Sequence, residues 1–115
     1  MDDALPVLIV EDDALIGLML VDMFDALDLP PPVHASSVAE ALEQIDQKNF
    51  CGAFVDVNLG EEKGWPVAEA LANRNIPFVF TTGGGVNVPP AFKDAPMIMK
   101  PFRIHDIEEA VQAFG

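Results

Sequence analysis

The stretch G-A-F-V-D-V-N-L-G, Gly52 to Gly60, runs four apolar or small residues into a carboxylate, Asp56, and then turns polar. A continuous apolar run, as opposed to an alternating one, marks a strand covered on both faces, as in a parallel sheet. An ionised side chain at the end of such a strand is costly unless something pairs with it. The same kind of run recurs as L-P-V-L-I-V (5–10), P-F-V-F-T (77–81) and P-M-I-M (96–99), with a weaker strand, V-H-A-S (33–36), after the triple proline Pro30 to Pro32.

Helical patterns fill the intervals. From Ala14 to Leu27 the apolar side chains are interrupted only at Gly17, Asp22 and Asp25, which cluster on one side at 100° per residue. Leu18 falls between the two aspartates, with Leu15 and Val21 at the edge, as either a tolerated surface group or part of a docking patch. Ser37 and Glu40 form a capping box that predicts a helix from Val38 to Lys48. Trp65-Pro66 opens a third helix ending near Asn73, since proline suits the first turn. The last helix runs from Ile104 to Phe114, with Ile104, Ile107, Val111 and Phe114 spaced 3, 4 and 3 apart on one face. Five strands separated by crossover segments give an α/β fold, a doubly wound five-stranded parallel sheet.

The 115 residues fit one domain spanning 1–115, because single domains run to about 100–200 residues. Six Lys and Arg against nineteen Asp and Glu leave a net charge of −13, while half the residues are hydrophobic, so the charge belongs to the surface of a folded domain. Direct nucleic-acid binding is not expected, since phosphate neutralisation needs clustered cations. The start, M-D-D-A-L-P, is acidic, and no apolar stretch approaches the ~20 residues of a membrane span, so neither leader, anchor nor membrane partner is expected. Cys51 stands alone, which fits a reducing, cytoplasmic setting and a small packing role.

In doubly wound sheets, ligands bind outside the carboxyl ends of the strands. Those ends carry Glu11-Asp12-Asp13, Asp56-Val57-Asn58, Thr81-Thr82-Gly83 and Lys100-Pro101. Each alone has an ordinary reading: helix capping for the acids, an Asx turn for Asp56, a solvated surface charge for Lys100. Together they aim complementary chemistry at one rim. Gathering Glu11, Asp12 and Asp56 sets like charges side by side, at a cost on the order of 4 kcal/mol per pair at ~4 Å. Such a cluster asks for a divalent cation, and hard oxygen ligands suit Mg²⁺. No His-Cys cluster exists for zinc. With the ion in place Asp56 becomes a candidate nucleophile for phosphoryl transfer, with Lys100 and the Thr82 hydroxyl placed for other phosphoryl oxygens.

The set L-I-V-E-D-D, F-V-D-V-N-L-G, F-T-T-G and M-K-P-F, in this order and spacing, resembles a response-regulator receiver domain of two-component signalling, over essentially the whole chain. The resemblance implies a flavodoxin-like, receiver-type sheet. Glu11 and Asp12 are then the metal-site acids, Asp56 the phosphoacceptor and a metal neighbour, and Asn58 the donor of a backbone carbonyl to Mg²⁺. Thr82 is the switch hydroxyl, and Lys100 contacts the phosphoryl group before a peptide to Pro101 that is typically cis. Asp13 matches no functional position and reads as a capping or contact residue. Two departures stand out. The usual aromatic residue three positions before the lysine is Met97 here, a flexible side chain and a poor two-position lever. Only 17 residues separate Thr82 from Lys100, and they include Gly83, Gly84, Gly85, Pro89 and Pro90, so the fourth helix should be absent or reduced to about one turn after Pro90. The F-T-T-G strand end and the short loop look like an atypical receiver subgroup often associated with HWE-type histidine kinases.

The expected function is that of a stand-alone receiver taking a phosphoryl group from a histidine kinase or phosphotransfer protein and passing the signal to a downstream protein. It acts as a self-phosphorylating phosphoacceptor with possible autodephosphorylation, not as a conventional enzyme. Asp22, Asp25, Leu15 and Leu18 form the expected kinase-facing surface. The alternative is a receiver-like protein-binding module that works without phosphorylation. An aspartyl-phosphate phosphatase or mutase would need a second aspartate where Asn58 stands. His34 and His105 read as surface or packing residues away from the rim, and Trp65 as a partly buried packing residue whose fluorescence should respond to Mg²⁺.

Overall fold

The computed structural model describes residues 5–114. Residues 1–4, which carry most of the acidic start, and Gly115 lie outside the described residues. The elements follow in the order β1 (Val7–Val10), α1 (Ala14–Ala26), β2 (Val33–Ala35), α2 (Val38–Gln47), β3 (Gly52–Asp56), β4 (Asn58–Leu59), β5 (Glu62–Lys63), α3 (Trp65–Asn73), β6 (Phe78–Thr82), β7 (Met97–Met99) and α4 (Ile104–Ala113). The main sheet has the order β2-β1-β3-β6-β7 and every pairing in it is parallel. This is the flavodoxin-like, doubly wound arrangement expected from the sequence, in which the order of strand addition reverses between β1 and β3.

Two apolar layers sandwich the sheet. On one face Leu8, Val10, Ala53, Val55 and Phe80 pack with Val38, Ala41 and Ile45 of α2 and Val67, Ala68 and Leu71 of α3. On the other Val7, Ile9, Phe54 and Val79 pack with Leu20 and Phe24 of α1 and Ile107 and Ala110 of α4. Alternate residues of each central strand therefore feed opposite cores, which is why those strands read as unbroken apolar runs.

A single turn of 3-10 helix, Pro90–Phe92, takes the place of a helix between β6 and β7. Gly84 and Gly85 have φ of 109° and 70°, and Pro89 and Pro90 cannot donate to helical bonds, so no longer helix forms there. Phe92 anchors the turn: its ring stacks on Trp65 at 6.1 Å and meets Phe80 and Phe78 edge-on at 5.7 and 6.2 Å.

Several details correct the sequence reading. β7 is not covered on both faces: it is an edge strand, and with one 3-10 turn where a helix would lie, Met97 and Met99 are exposed while Ile98 packs inward. Gly17 is buried, not grouped with Asp22 and Asp25, because the His34 ring occupies the space beside it. The Glu40 carboxylate reaches past Ser37 to the Ser36 amide and hydroxyl, while the Ser37 hydroxyl caps the Glu40 amide as expected. Ile104 is exposed at the start of α4, so the buried face of that helix begins with Ile107. The antiparallel pair β4–β5 has no sequence signal, because two-residue strands carry no periodicity; Gly60, with φ 67°, opens its two-residue loop. Among the described residues no helix is long and apolar enough to cross a membrane.

Candidate functional site

Parallel registry builds the site. Val10 pairs with Val55, so the next residues out, Glu11 and Asp56, stand side by side where β1 and β3 end. Asp56 pairs in turn with Thr81 of β6, and Thr82 with Met99 of β7. The Lys100 amide donates to the Thr82 carbonyl at 2.8 Å, continuing that ladder, and the Lys100 side chain crosses the rim. Its Nζ lies 2.8 Å from Asp56 Oδ2 and 2.9 Å from Glu11 Oε1. The peptide from Lys100 to Pro101 is cis.

Glu11 and Asp56 are 1% and 3% exposed, so two carboxylates are buried against one ammonium. Asp12 adds a third, exposed carboxylate, and one ligand oxygen from each of Glu11, Asp12 and Asp56 lies within 4.8 Å of the others. Burial, reinforced by the Asp56 carboxylate beside it, pushes the Glu11 carboxyl up from 4.5 to about 7, against the lowering effects of Lys100 and the Asp13 amide. Burial by itself would lower the Lys100 ammonium, but Asp56 and Glu11 outweigh it and hold it above its ordinary value. The rim is thus short of positive charge.

Glu11 Oε1 identifies the shortfall at the level of one atom. It is a buried acceptor with no aligned donor, since the Lys100 ammonium is near it but off the direction of a hydrogen bond. It shares that ammonium with Asp56 Oδ2, so one cation serves two buried carboxylates. Three hard oxygen donors, one of them without an aligned hydrogen bond, and no thiolate or imidazole in the cluster fit Mg²⁺. Glu11, Asp12 and Asp56 are the residues that would hold it.

The other expected residues take definite places. Asn58 donates its amide to Asp56 Oδ1 at 3.0 Å, and its side-chain oxygen accepts from the Lys63 ammonium of β5. Thr82 is buried on the same rim, one residue beyond Thr81, and its hydroxyl accepts from the Gly84 amide at 3.0 Å. Glu11, Asp12, Asp56 and Lys100 therefore converge, whereas Thr82 has no hydrogen bond to Asp56 among the described residues. Asp13 caps α1, accepting from the Leu15 and Ile16 amides, and donates its own amide to Glu11 Oε2 at 3.1 Å.

Three neighbours were not read from the sequence. Asp12 Oδ2 accepts from the Gly60 amide at 2.9 Å, tying the β4–β5 loop to the acids. Gly64 packs so closely that a Cβ there would come within 2.5 Å of the Asp56 carbonyl oxygen. His34, expected away from the rim, reaches it after all: Nε2 is 2.8 Å from the Glu11 carbonyl oxygen. Its position on the weak strand concealed this, because registry and not sequence distance brings it there. His105 behaves as expected, exposed on α4 beside Glu109.

Comparison with known proteins finds the same fold. SdrG from Sphingomonas melonis Fr1 is 44% identical over 99% of this chain and 98% of its own, with a TM-score of 0.84. The BeF3-activated conformation of SdrG from Pseudomonas melonis Fr1 is 45% identical over 97% and 98% of the two chains, with a TM-score of 0.80. A CheY-like receiver domain from Methylobacillus flagellatus shares the fold at 19% identity, covering 98% of this chain and all of its own, with a TM-score of 0.84. No family model matches the chain, and no curated protein does.

Proposed function

The chain belongs to the response-regulator receiver family of two-component signalling, and from that we propose that it accepts a phosphoryl group on Asp56 from a histidine kinase or phosphotransfer protein. The reaction is magnesium-dependent, and the phosphorylated form signals through protein contacts. In this reading the 115 residues are one cytoplasmic receiver domain that touches no nucleic acid directly, and the exposed Leu15 and Leu18 beside Asp22 and Asp25 face the kinase.

The observation that carries the proposal is the Asp56 carboxylate, buried at a strand end with Lys100 at 2.8 Å and two more carboxylates beside it. An Asp56 oxygen attacks the phosphorus of a phosphohistidine. A P–O bond forms as the P–N bond breaks, and the departing electron pair stays on the imidazole nitrogen, which takes up a proton. The Asn58 amide holds Asp56 Oδ1 and so fixes the plane of the carboxylate. The Lys100 ammonium, already on Asp56 Oδ2, is placed to follow the charge onto a phosphoryl oxygen, and Thr82 to donate its hydroxyl once the Gly84 contact is given up. Glu11, Asp12 and Asp56, with the Asn58 carbonyl, would hold magnesium, which would supply positive charge against the phosphoryl oxygens. The activated SdrG relative supports the reading, since BeF3 has the size and charge of a phosphoryl group.

Incubation with acetyl phosphate and Mg²⁺, followed by intact mass, tests this. One added phosphoryl group is expected, absent in Asp56→Asn and absent when the metal is chelated. A folded protein that binds Mg²⁺ yet gains no mass with any phosphodonor would point instead to a binding module that works without phosphate.

A further inference from the structure

We propose that His34 is a positioning residue for the acidic turn: its imidazole, seated over Gly17, clamps the Glu11 backbone and so sets the geometry in which Glu11 and Asp12 meet a metal ion.

Three observations carry this. The first is the hydrogen bond from His34 Nε2 to the Glu11 carbonyl at 2.8 Å. A carbonyl only accepts, so Nε2 carries the hydrogen and donates. The second is where it falls. The β1–β2 ladder pairs Val10 with Ala35, and the Glu11 amide donates to the Ala35 carbonyl at 3.0 Å. Beyond that bond β2 ends, and a buried Glu11 would keep an unpaired carbonyl unless a side chain supplied the donor. His34 and Ala35, adjacent on β2, thus hold both backbone groups of the residue whose side chain points at Asp56. The third is Gly17. A Cβ there would lie 2.5 Å from His34 Cε1 and 2.9 Å from Nε2. Glycine is a poorer helix former than alanine, so α1 carries an unfavourable residue where the ring needs the space.

The inference rests on the metal-site reading of Glu11 and Asp12 and goes beyond it, because His34 lies outside the carboxylate cluster and acts through the Glu11 backbone. Its signature is a weaker metal affinity with little loss of rate once metal saturates. A merely structural residue would lower the folded fraction without moving the midpoint of the titration in the molecules that remain folded.

The test is Mg²⁺ titration of the full chain, read by the backbone amide shifts of Glu11, Asp12 and Asp13, together with phosphorylation by acetyl phosphate at saturating Mg²⁺. His34→Leu should raise the Mg²⁺ Kd about tenfold, a usual cost of losing a group that orients a metal ligand. Phosphorylation at saturating Mg²⁺ should stay within about twofold. His34→Gln, whose amide nitrogen restores a donor at similar reach, should recover most of the affinity. Gly17→Ala, which displaces the ring without touching the rim, should weaken binding as His34→Leu does. In the metal-free protein the His34 nitrogen shifts should report hydrogen on Nε2. A Kd within twofold of wild type in folded His34→Leu overturns the inference; if that variant does not fold, an unchanged Kd in Gly17→Ala overturns it equally. A wild-type protein that shows no Mg²⁺ binding overturns the metal-site reading and this inference with it.

Discussion

Glu11 carries an electrostatic burden at the rim, and that burden has a sign. Its carboxyl titrates near 4.5 in an ordinary setting and near 7 in the folded protein, because burial and Asp56 disfavour the charge. Between those values the folded protein holds a proton that the unfolded chain has released, so this contribution to stability is full below about 4.5 and is lost as pH rises through about 7. Metal-free protein should therefore lose stability between pH 5 and 8, and Glu11→Gln should remove that part of the loss. At pH 8 in chelator the variant should melt higher than wild type by about 5 °C, while Mg²⁺ should raise the melting temperature of wild type and not of the variant. Scanning calorimetry at both pH values checks this; a wild-type melting curve that is indifferent to Mg²⁺ at pH 8 would contradict it.

The segment between β6 and β7 is held by a single aromatic side chain. Phe92 is the one side chain of the 3-10 turn that enters the aromatic group of Trp65, Phe78 and Phe80, so it does the docking a longer helix would share among several residues. Phe92→Ala should cost about 2 kcal/mol, below the ~3–5 kcal/mol of a fully buried phenylalanine because this ring is only partly buried. It should lower the urea midpoint and speed amide exchange from Gly83 to Asp94, with β1 and β3 unchanged; uniform exchange across the chain would refute a local anchor. The absence of an ordinary helix here was legible, because three glycines and a proline pair state a backbone preference locally. The exposure of Met97 and Met99 was not, since an apolar run looks alike whether or not a helix lies over it. Likewise the strand ends with Glu11, Asp56 and Lys100 could be read from position in the pattern, while the contact of His34 with Glu11 depends on the registry of two strands.

Over the whole molecule, 19 acidic side chains against 6 basic ones leave a net charge of −13 on a chain this small. Self-repulsion on that scale opposes compaction and is screened over about 10 Å at 0.1 M salt. Raising sodium chloride from 0.01 to 0.3 M, without magnesium, should raise the urea midpoint of wild-type protein, with potassium chloride acting alike. A fall would show that local ion pairs outweigh the general repulsion. The sheet itself has two uncapped borders, the short strands β2 and β7, and the second carries exposed methionines. Such borders invite neighbouring copies to zip together when nothing keeps them apart. Here the keeper is colloidal: like-charged particles refuse close approach, and that refusal fades near the isoelectric point of about 4.1. Light scattering should accordingly climb as solutions are acidified towards that value, and a Met99→Lys border should stay clear where the native one clouds.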